Sequence, residues 1–325
     1  ILAQIHKGDH LTIDLTHGYR SMPIVFSAAI HFLRRAGDVK LEAVYYGAYD
    51  KNRELSPIVD MKQFYVINDW VEAVSRLVED ADARKMAQMA ETAPGFQSGG
   101  LSDPHLIQAL DILTNRIRNV DINGIEEPAK QLLMLINAKE KEAHETGKIL
   151  LGLVKDKFAP IAGNPSTDGR YNAAYFRMQL SMIQLLVEHG LFMQAYTVMR
   201  EFIGSMGLVQ FENVIFNNAK GRKKRQYAET FVNMLQHEKE GWNFEESTDV
   251  KKEKLIPHYE RLERLGVVKT LDSFIKELLR YRNGFDHAWT AQNGAGENMR
   301  DFGFSVLEQL SSLTDLLIQE GIIRS

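Results

Sequence analysis

The chain has 325 residues, of which 44% are apolar and 25% are charged, and its formal net charge is −4 at pH 7. This length and composition predict a globular protein of about two domains with a sizeable core. The negative net charge excludes a nucleic-acid binder that relies on its overall field, so any RNA has to be held locally.

Cysteine is absent, which excludes disulfides, thiolate nucleophiles and thiolate metal sites. No apolar run is long enough to cross a bilayer, and residues 1–10 lack the order of a secretory signal, so we expect a cytoplasmic protein without membrane contact. The histidines lie apart in sequence without an HExxH pattern, and no metal site is predicted.

The chain begins with an alternation of strand and helix. Leu11–Leu15 is a short apolar run typical of a buried strand, Met22–Leu33 has helical spacing, and Leu41–Tyr46 is a second strand that ends at Gly47. Strand, helix and strand predict one parallel unit of a doubly wound α/β sheet. Because the unit is small and its first strand is central in type, we expect residues before Ile1 to complete the sheet.

The pattern then changes to helices. Residues 70–89 are helical with mixed charge, and residues 93–103 form a loop with Gly, Ser and Pro. From Pro104 onward nearly every segment has helical periodicity, interrupted by polar stretches at 212–225 and 238–254 that are typical of mobile loops. The sequence predicts a Rossmann-like α/β domain over 1–75, a linker helix and loop over 76–105, and an all-α domain over 106–325.

The first candidate site is a polar turn between the first strand and the first helix. Thr16 offers a hydroxyl, Gly18 admits a close ligand, and Arg20 supplies a fork for phosphate near a helix start, with His17 between them. Ligands of open α/β sheets bind at this edge. The alternative is purely structural: the hydroxyls cap the helix and Arg20 pairs with Asp14.

The second candidate site closes a strongly amphipathic helix late in the chain. Arg282, Asn283 and His287 bring together a fixed cation, an amide and an imidazole that titrates near neutral pH. RNA cleavage without a metal ion needs these types, because a proton must move while the phosphorane gains negative charge. The alternative is a surface ion pair from Arg282 to Asp286, with His287 as a favourable cation at the helix end.

Two features lie beside this second candidate. Tyr281, Phe285 and Trp289 surround the polar set and could bury and orient it. The basic run at 220–225 (KGRKKR) could grip an RNA backbone, but it is equally well explained as a solvated loop.

The segment IDLTHGYRSMP, followed by a helix and then by VYYGA, resembles the sensor (CARF) domain of CRISPR-associated CARF-HEPN ribonucleases. The resemblance extends to the residues around Pro57 and Trp70, to the helix pair around Gly190 with Arg200-Glu201, and to Arg282-Asn283 with His287. It therefore spans most of the chain.

The resemblance implies a homodimer, or a higher oligomer, of type III CRISPR defence. Two sensor domains would bind a cyclic oligoadenylate activator, with cyclic tetra-adenylate favoured, through Thr16, His17, Gly18, Arg20, Tyr46 and Gly47. Two helical HEPN domains would pair Arg282 and His287 into one composite site that cuts single-stranded RNA. No cofactor is implied.

The rival hypotheses stay open at this point. The helical domain could instead be an interaction module, so that the protein senses a cyclic oligonucleotide and acts through a protein or nucleic-acid partner. The sensor could also degrade its own activator, as some members of the family do.

Overall fold

The computed structural model describes residues 4–16, 22–36, 39–93, 99–162, 171–209, 219–242, 244, 252–290 and 298–324. Positions 22–23, 35–36, 219–224 and 252 are described by their backbone alone. His17, Gly18 and Arg20 of the first candidate site lie outside the described residues.

The described part of the sheet has three strands in the order β1 (His10–Asp14), β2 (Lys40–Gly47) and β3 (Ile58–Asp60). Strand β1 is followed by helix α1 (Met22–Ala36) and pairs with β2 in parallel, with Ile13 opposite Val44. The predicted strand, helix and parallel strand are therefore confirmed. The third strand was not predicted, and it runs antiparallel to β2, with Tyr46 opposite Val59. The sheet is mixed rather than wholly parallel.

Asp60 explains why the chain reverses at this point. Its carboxylate accepts from the Val44 N–H of β2 at 3.2 Å and from the Lys62 N–H at 2.9 Å, so it ties β3 to β2 and starts helix α2 (Lys62–Asp80). The Met61 N–H donates to the Val44 carbonyl at 2.6 Å. Helix α2 is therefore fixed directly to the central strand.

Helix α2 contributes to two separate apolar cores. A small core beneath the sheet contains Ile30, Leu41, Val44 and Tyr65, whereas Trp70 of the same helix belongs to the large helical core. A bidentate pair holds α1 against α2, with Arg34 Nη1 3.2 Å from Asp69 Oδ1. The α/β unit and the helical part therefore share one helix, and the predicted boundaries at 75 and 105 stay a prediction.

The remaining described helices build an all-α body, which is compatible with the predicted α/β plus helical arrangement. They are α3 (Arg84–Thr92), α4 (Pro104–Arg118), α5 (Glu126–Glu142), α6 (Glu145–Ala162), α7 (Ala173–Glu188), α8 (Phe192–Met206), α9 (Ala219–Met234), α10 (Lys252–Arg264), α11 (Val267–Asp286) and α12 (Met299–Gln319). Short 3₁₀ turns occupy 122–124 and 239–241. Helix α8 packs against α7, α9, α11 and α12, so it lies at the centre of this body.

Several predicted helices have different limits. The helix predicted over 70–89 is divided between α2 and α3 at Ala81, whose φ is 49°. The helical periodicity predicted from Pro104 onward runs through 128–154, but the structure divides this stretch between α5 and α6 at Ala143, which is extended. Neither break contains Gly or Pro, and the apolar spacing continues across both because each pair of helices packs on the same core.

The polar stretches at 212–225 and 238–254 are not wholly loops. Helix α9 begins at Ala219, so the basic run belongs to a helix, and α10 begins at Lys252. Helix α10 is rich in charge, yet Leu255, Tyr259 and Leu262 are buried at helical spacing. The many charged residues of α10 made this narrow apolar stripe hard to recognise in the sequence. None of the described helices is both long and apolar enough to cross a membrane.

Two histidines, His258 which is buried and His189 which is half-buried, make the stability of the fold depend on pH. His258 Nε2 lies 2.9 Å from the Met206 carbonyl oxygen, and burial lowers the pKa of His258. His189 lies against the Glu79 carbonyl, and burial likewise lowers its pKa. Both imidazoles favour the neutral form in the folded chain.

We therefore expect the free energy of unfolding to fall as pH is lowered below about 6.5, because the unfolded chain takes up these protons first. Urea unfolding at several pH values measures this slope. His258→Gln should flatten it, whereas His105→Gln, at an exposed position of α4, should leave it unchanged. A slope that is the same in all three proteins would contradict the assignment to His258.

Candidate functional site

Helix α11 carries Arg282, Asn283 and His287 to a solvent-exposed end. The helix starts after Gly266, whose φ is 77°, and its apolar face is buried along its length, including Leu271, Ile275 and Leu278. It ends at Asp286, and the His287 N–H caps it by donating to the Asn283 carbonyl at 3.1 Å. Asn283 and His287 are exposed and Arg282 is half-buried. The three predicted residues therefore share one helix end.

The guanidinium of Arg282 is held by its own helix. Nη1 lies 2.9 Å from Asp286 Oδ2 and 3.3 Å from Asn283 Oδ1, so the surface ion pair of the alternative interpretation is formed. A half-exposed pair of this kind contributes only about 0–1 kcal/mol. Nε is buried without a hydrogen-bond partner among the described residues. The pair is therefore weak enough for a phosphate to replace.

The imidazole of His287 lies at the negative end of the helix dipole. Carbonyl groups without helical partners converge at this end of the helix. Arg282 and His287 are five positions apart, which separates them by about 140° around a helix axis. Arg282 contacts Asn283 and Asp286, both on its own helix. In one copy of the chain, this spacing places the two residues on different sides of the helix end.

Aromatic rings support the same helix end from below, as the sequence pattern suggested. The ring of Tyr281 is 5.4 Å from Tyr196 of α8 and 5.3 Å from Phe302 of α12, measured between centroids. Phe285 and Trp289 are 5.4 Å apart with their planes near perpendicular. Burial raises the pKa of Tyr196, and its hydroxyl donates to the Met299 carbonyl at 2.5 Å. The polar residues therefore stand on a rigid aromatic base.

A network of alternating charges lies beside the helix end, on α8 and α9. Arg200 Nη1 is 2.7 Å from Glu201 Oε1 and 3.0 Å from Glu229 Oε1, and Arg225 Nε is 3.0 Å from Glu201 Oε2. The hydrogen bond from Arg200 holds the pKa of Glu229 below its ordinary value, and the charge of Arg282 acts in the same direction. The network therefore reaches Arg282 electrostatically.

Arg225, the last cation of the basic run, is bound within the fold rather than solvated. Besides Glu201, it donates to the Ser205 hydroxyl at 2.9 Å and to the Glu201 carbonyl at 2.7 Å. Its side chain is 27% exposed. The last cation of the run is therefore committed to the fold, and the side chains of 220–224 lie outside the described residues.

Sequence reasoning missed this network, although a signal existed. Arg200 and Glu201 had been noted only through a family resemblance, and Glu229 and Ser205 were not singled out. Glu201 and Ser205 on α8, like Arg225 and Glu229 on α9, are four positions apart, which places each pair on one helix face. Polar faces of this kind on two helices that pack together predict a polar contact. The sequence alone, however, does not show that α8 packs against α9.

At the sheet edge, Thr16 and Gly47 are brought together. The Gly47 N–H donates to Thr16 Oγ1 at 2.8 Å, and a Cβ on Gly47 would lie 2.7 Å from Thr16 Cγ2. The Thr16 N–H donates to Asp14 Oδ1 at 2.8 Å, while Tyr46 is 42% exposed. The carboxyl ends of β1 and β2 thus carry three of the six predicted ligand residues next to one another.

A cleft of about 640 Å³ lies at the opposite end of β2, between α1, α2 and α3. Its lining is polar and includes Lys40, Glu42, Lys62 and Asp69. None of the predicted ligand residues lines it. Among the described residues, no three His, Asp or Glu side chains converge as a metal site would require.

Comparison with known proteins adds one relative. No protein-family profile matches the chain. The chain is similar to the CRISPR-associated protein MJ1674 of Methanocaldococcus jannaschii, with 23% identity over 205 residues. The aligned region covers 62% of this chain and 30% of that longer protein. The similarity supports a CRISPR-associated protein.

We expect Glu201→Gln to reduce the free energy of unfolding by about 2 kcal/mol, because it leaves the Arg225 guanidinium without its charged partner. Chemical denaturation measures the loss. Glu91→Gln, at an exposed position of α3, should change stability by less than about 0.5 kcal/mol. Equal stability of the two variants would show that the network contributes nothing.

Proposed function

We propose that the protein is an RNA-cutting effector of the CRISPR response, a metal-independent endoribonuclease for single-stranded RNA. The observation that carries this proposal is the solvent-exposed end of α11, where Arg282, Asn283 and His287 stand on a rigid aromatic base. The similarity to a CRISPR-associated protein supports the same setting.

The chemistry follows from these side chains. The ribose 2'-hydroxyl attacks its own 3'-phosphate, His287 moves the proton towards the 5'-oxygen that leaves, and Arg282 stabilises the negative charge gained by the phosphorane. Asn283 orients the scissile phosphate by hydrogen bonding. Since the nucleophile is part of the RNA, the products carry 2',3'-cyclic phosphate and 5'-hydroxyl ends.

The proposed active form is a homodimer with one composite site. In one chain Arg282 and His287 leave the helix end on different sides, so a single phosphate is reached best by groups from two copies. A twofold axis near the end of α11 supplies both groups to the same phosphate.

The proposed activator is a cyclic oligoadenylate at the carboxyl edge of β1 and β2. Thr16, Gly47 and Tyr46 are adjacent there, and the Thr16 hydroxyl proton stays available because its oxygen accepts from Gly47. His17, Gly18 and Arg20 would complete the pocket. Helix α2 lies in both apolar cores, which supports transmission from this edge to the helical body through residues 70–105.

The second candidate is a sensor without nuclease activity that acts through a partner. The observation in its favour is the set of large exposed apolar side chains on the α/β unit, among them Ile24, Phe32 and Ile58. A third activity, degradation of the activator, would use the 2'-hydroxyl groups of the ring held near Thr16.

The proposed function is tested with a fluorogenic single-stranded RNA, with and without cyclic tetra-adenylate, in the presence of EDTA. We expect cleavage only with the activator, unaffected by EDTA. His287→Ala should lower the rate about 10²- to 10⁴-fold by removing the proton carrier, and Arg282→Ala about 10²- to 10³-fold by removing the fixed charge.

His105→Ala, an exposed histidine on α4, is the matched control and should cut RNA at the wild-type rate. Tight binding of the ring without cleavage by the wild-type protein would favour the sensor that acts through a partner. Disappearance of intact ring over time would reveal the third activity.

Asp286 should compete with RNA for Arg282. We expect Asp286→Asn to lower KM for RNA about two- to fivefold with kcat unchanged, because the ion pair no longer has to be broken. Asp272→Asn removes a carboxylate of the same helix that lies 3.9 Å from Lys276, in a more exposed pair, and should leave KM unchanged. Steady-state kinetics of both variants measure these KM values. An increased KM in Asp286→Asn would show that Asp286 does not compete with RNA for Arg282.

A further inference from the structure

The turn that follows α11 has the hydrogen bonds of a Schellman motif, with His287 as the helix C-cap. The Trp289 N–H donates to the Gly284 carbonyl at 2.7 Å, and the Ala288 N–H donates to the Phe285 carbonyl at 3.2 Å. These are the two bonds that define this way of ending a helix. The backbone position of His287 is therefore fixed by the turn after it as well as by the helix before it.

The turn uses an unfavourable residue at the position that usually holds glycine. Ala288 has φ of 49°, and Trp289 follows with φ of 59°. Residues other than glycine, asparagine and aspartate are rare in this left-handed region, which costs roughly 1–2 kcal/mol for each residue. An interaction elsewhere has to offset this cost for the turn to persist.

The indole of Trp289 provides that interaction by packing on Gly284. A Cβ at Gly284 would lie 2.5 Å from Trp289 Cζ3 and 2.6 Å from Cε3, so the ring lies directly on the bare α-carbon. The ring also meets Phe285 and Tyr281 at centroid distances of 5.4 and 6.1 Å, both near perpendicular. An apolar contact between these two positions is the usual companion of a Schellman motif.

The contact between Trp289 and Gly284 joins residues on either side of His287, the candidate catalytic histidine. Gly284 precedes His287 by three positions and Trp289 follows it by two. The contact of the indole with Gly284 therefore closes the turn that contains the cap residue. His287 itself is exposed, and the fixed backbone on both sides limits where its imidazole reaches. Loss of the indole would free the turn while leaving α11 and its buried face in place.

We propose that Trp289 is a positioning residue for His287, which it holds at the end of α11 by packing on Gly284. The proposal rests on the proposed ribonuclease function for its kinetic consequence, although the geometric part stands without it. Trp289→Leu should lower kcat about 10- to 100-fold, since small displacements of a catalytic group have effects of this size, with KM changed less than about threefold.

Rescue separates positioning from simple loss of core packing. Ala288→Gly removes the cost of the left-handed residue, so in the Trp289→Leu background it should restore the turn and recover kcat at least about fivefold. Trp242→Leu is the matched control, because Trp242 is also a partly buried tryptophan but packs on Tyr259 of α10, outside the aromatic base. It should lower stability without lowering kcat.

The experiment combines these kinetics with NMR of the His287 imidazole in the full chain, labelled at Cε1. We expect one narrow signal in the wild type, several or broadened signals in Trp289→Leu, and recovery in the Trp289→Leu, Ala288→Gly double variant. An unchanged His287 signal in folded Trp289→Leu would overturn the proposal, and so would a kcat that the glycine fails to recover. A wild-type protein that cuts no RNA would refute the proposed function, while the NMR comparison would still decide the positioning role.

Discussion

Helix α8 has almost no face left for water, and the rest of the helical body depends on this burial. Of its 15 residues only Met193 is exposed, because α7, α9, α11 and α12 surround the helix. Such a helix must find internal partners for any polar group it carries. Arg200, Glu201 and Ser205 are such groups, and α9 supplies Arg225 and Glu229 to satisfy them. Tyr196, on the same helix, supports the aromatic base beneath α11.

This arrangement explains why the polar residues of the candidate site can lie at the end of α11 without weakening the fold. The helix is anchored by its buried apolar face and by the rings of Tyr196, Tyr281 and Phe302, all away from the exposed tip. The tip itself carries Arg282, Asn283 and His287, which contribute little to the core. The buried face and the polar candidate residues therefore occupy different parts of one helix, and a polar substitution at the tip leaves the packing intact.

The sequence predicted those elements in which the apolar pattern and the residues that end the element indicate the same limits. The strands β1 and β2 and the helix between them follow from an apolar run, helical spacing and a terminal glycine, and their parallel pairing follows from the crossover. The breaks at Ala81 and Ala143 could not be predicted, since tertiary packing rather than Gly or Pro ends those helices. The three-residue strand β3 is too short and too exposed for a periodic signal.

In the candidate site too, some features were predicted from the sequence and others depend on tertiary packing. Arg282, Asn283 and His287 are predicted site residues because their residue types and order carry a chemical meaning, and the aromatic spacing around them indicated support. The contact of Trp289 with Gly284 was not predicted, because it needs a left-handed residue at position 288, where the sequence has alanine. A local rule is broken there, and such breaks in a folded chain commonly mark functional positions.

Charge balance at the tip of α11 bears on the proposed dimer. Two copies would bring two guanidinium groups close together, and their repulsion would oppose association unless an anion lay between them. The scissile phosphate of the RNA supplies that anion, whereas Asp286, 2.9 Å from Arg282 within each chain, competes for the same guanidinium. A phosphate that enters the composite site can then replace the carboxylate, and Arg282 Nε, buried and unbonded among the described residues, gains a partner. The same ion pair that looks like a surface feature in one chain is therefore the contact that the substrate has to displace in the proposed dimer.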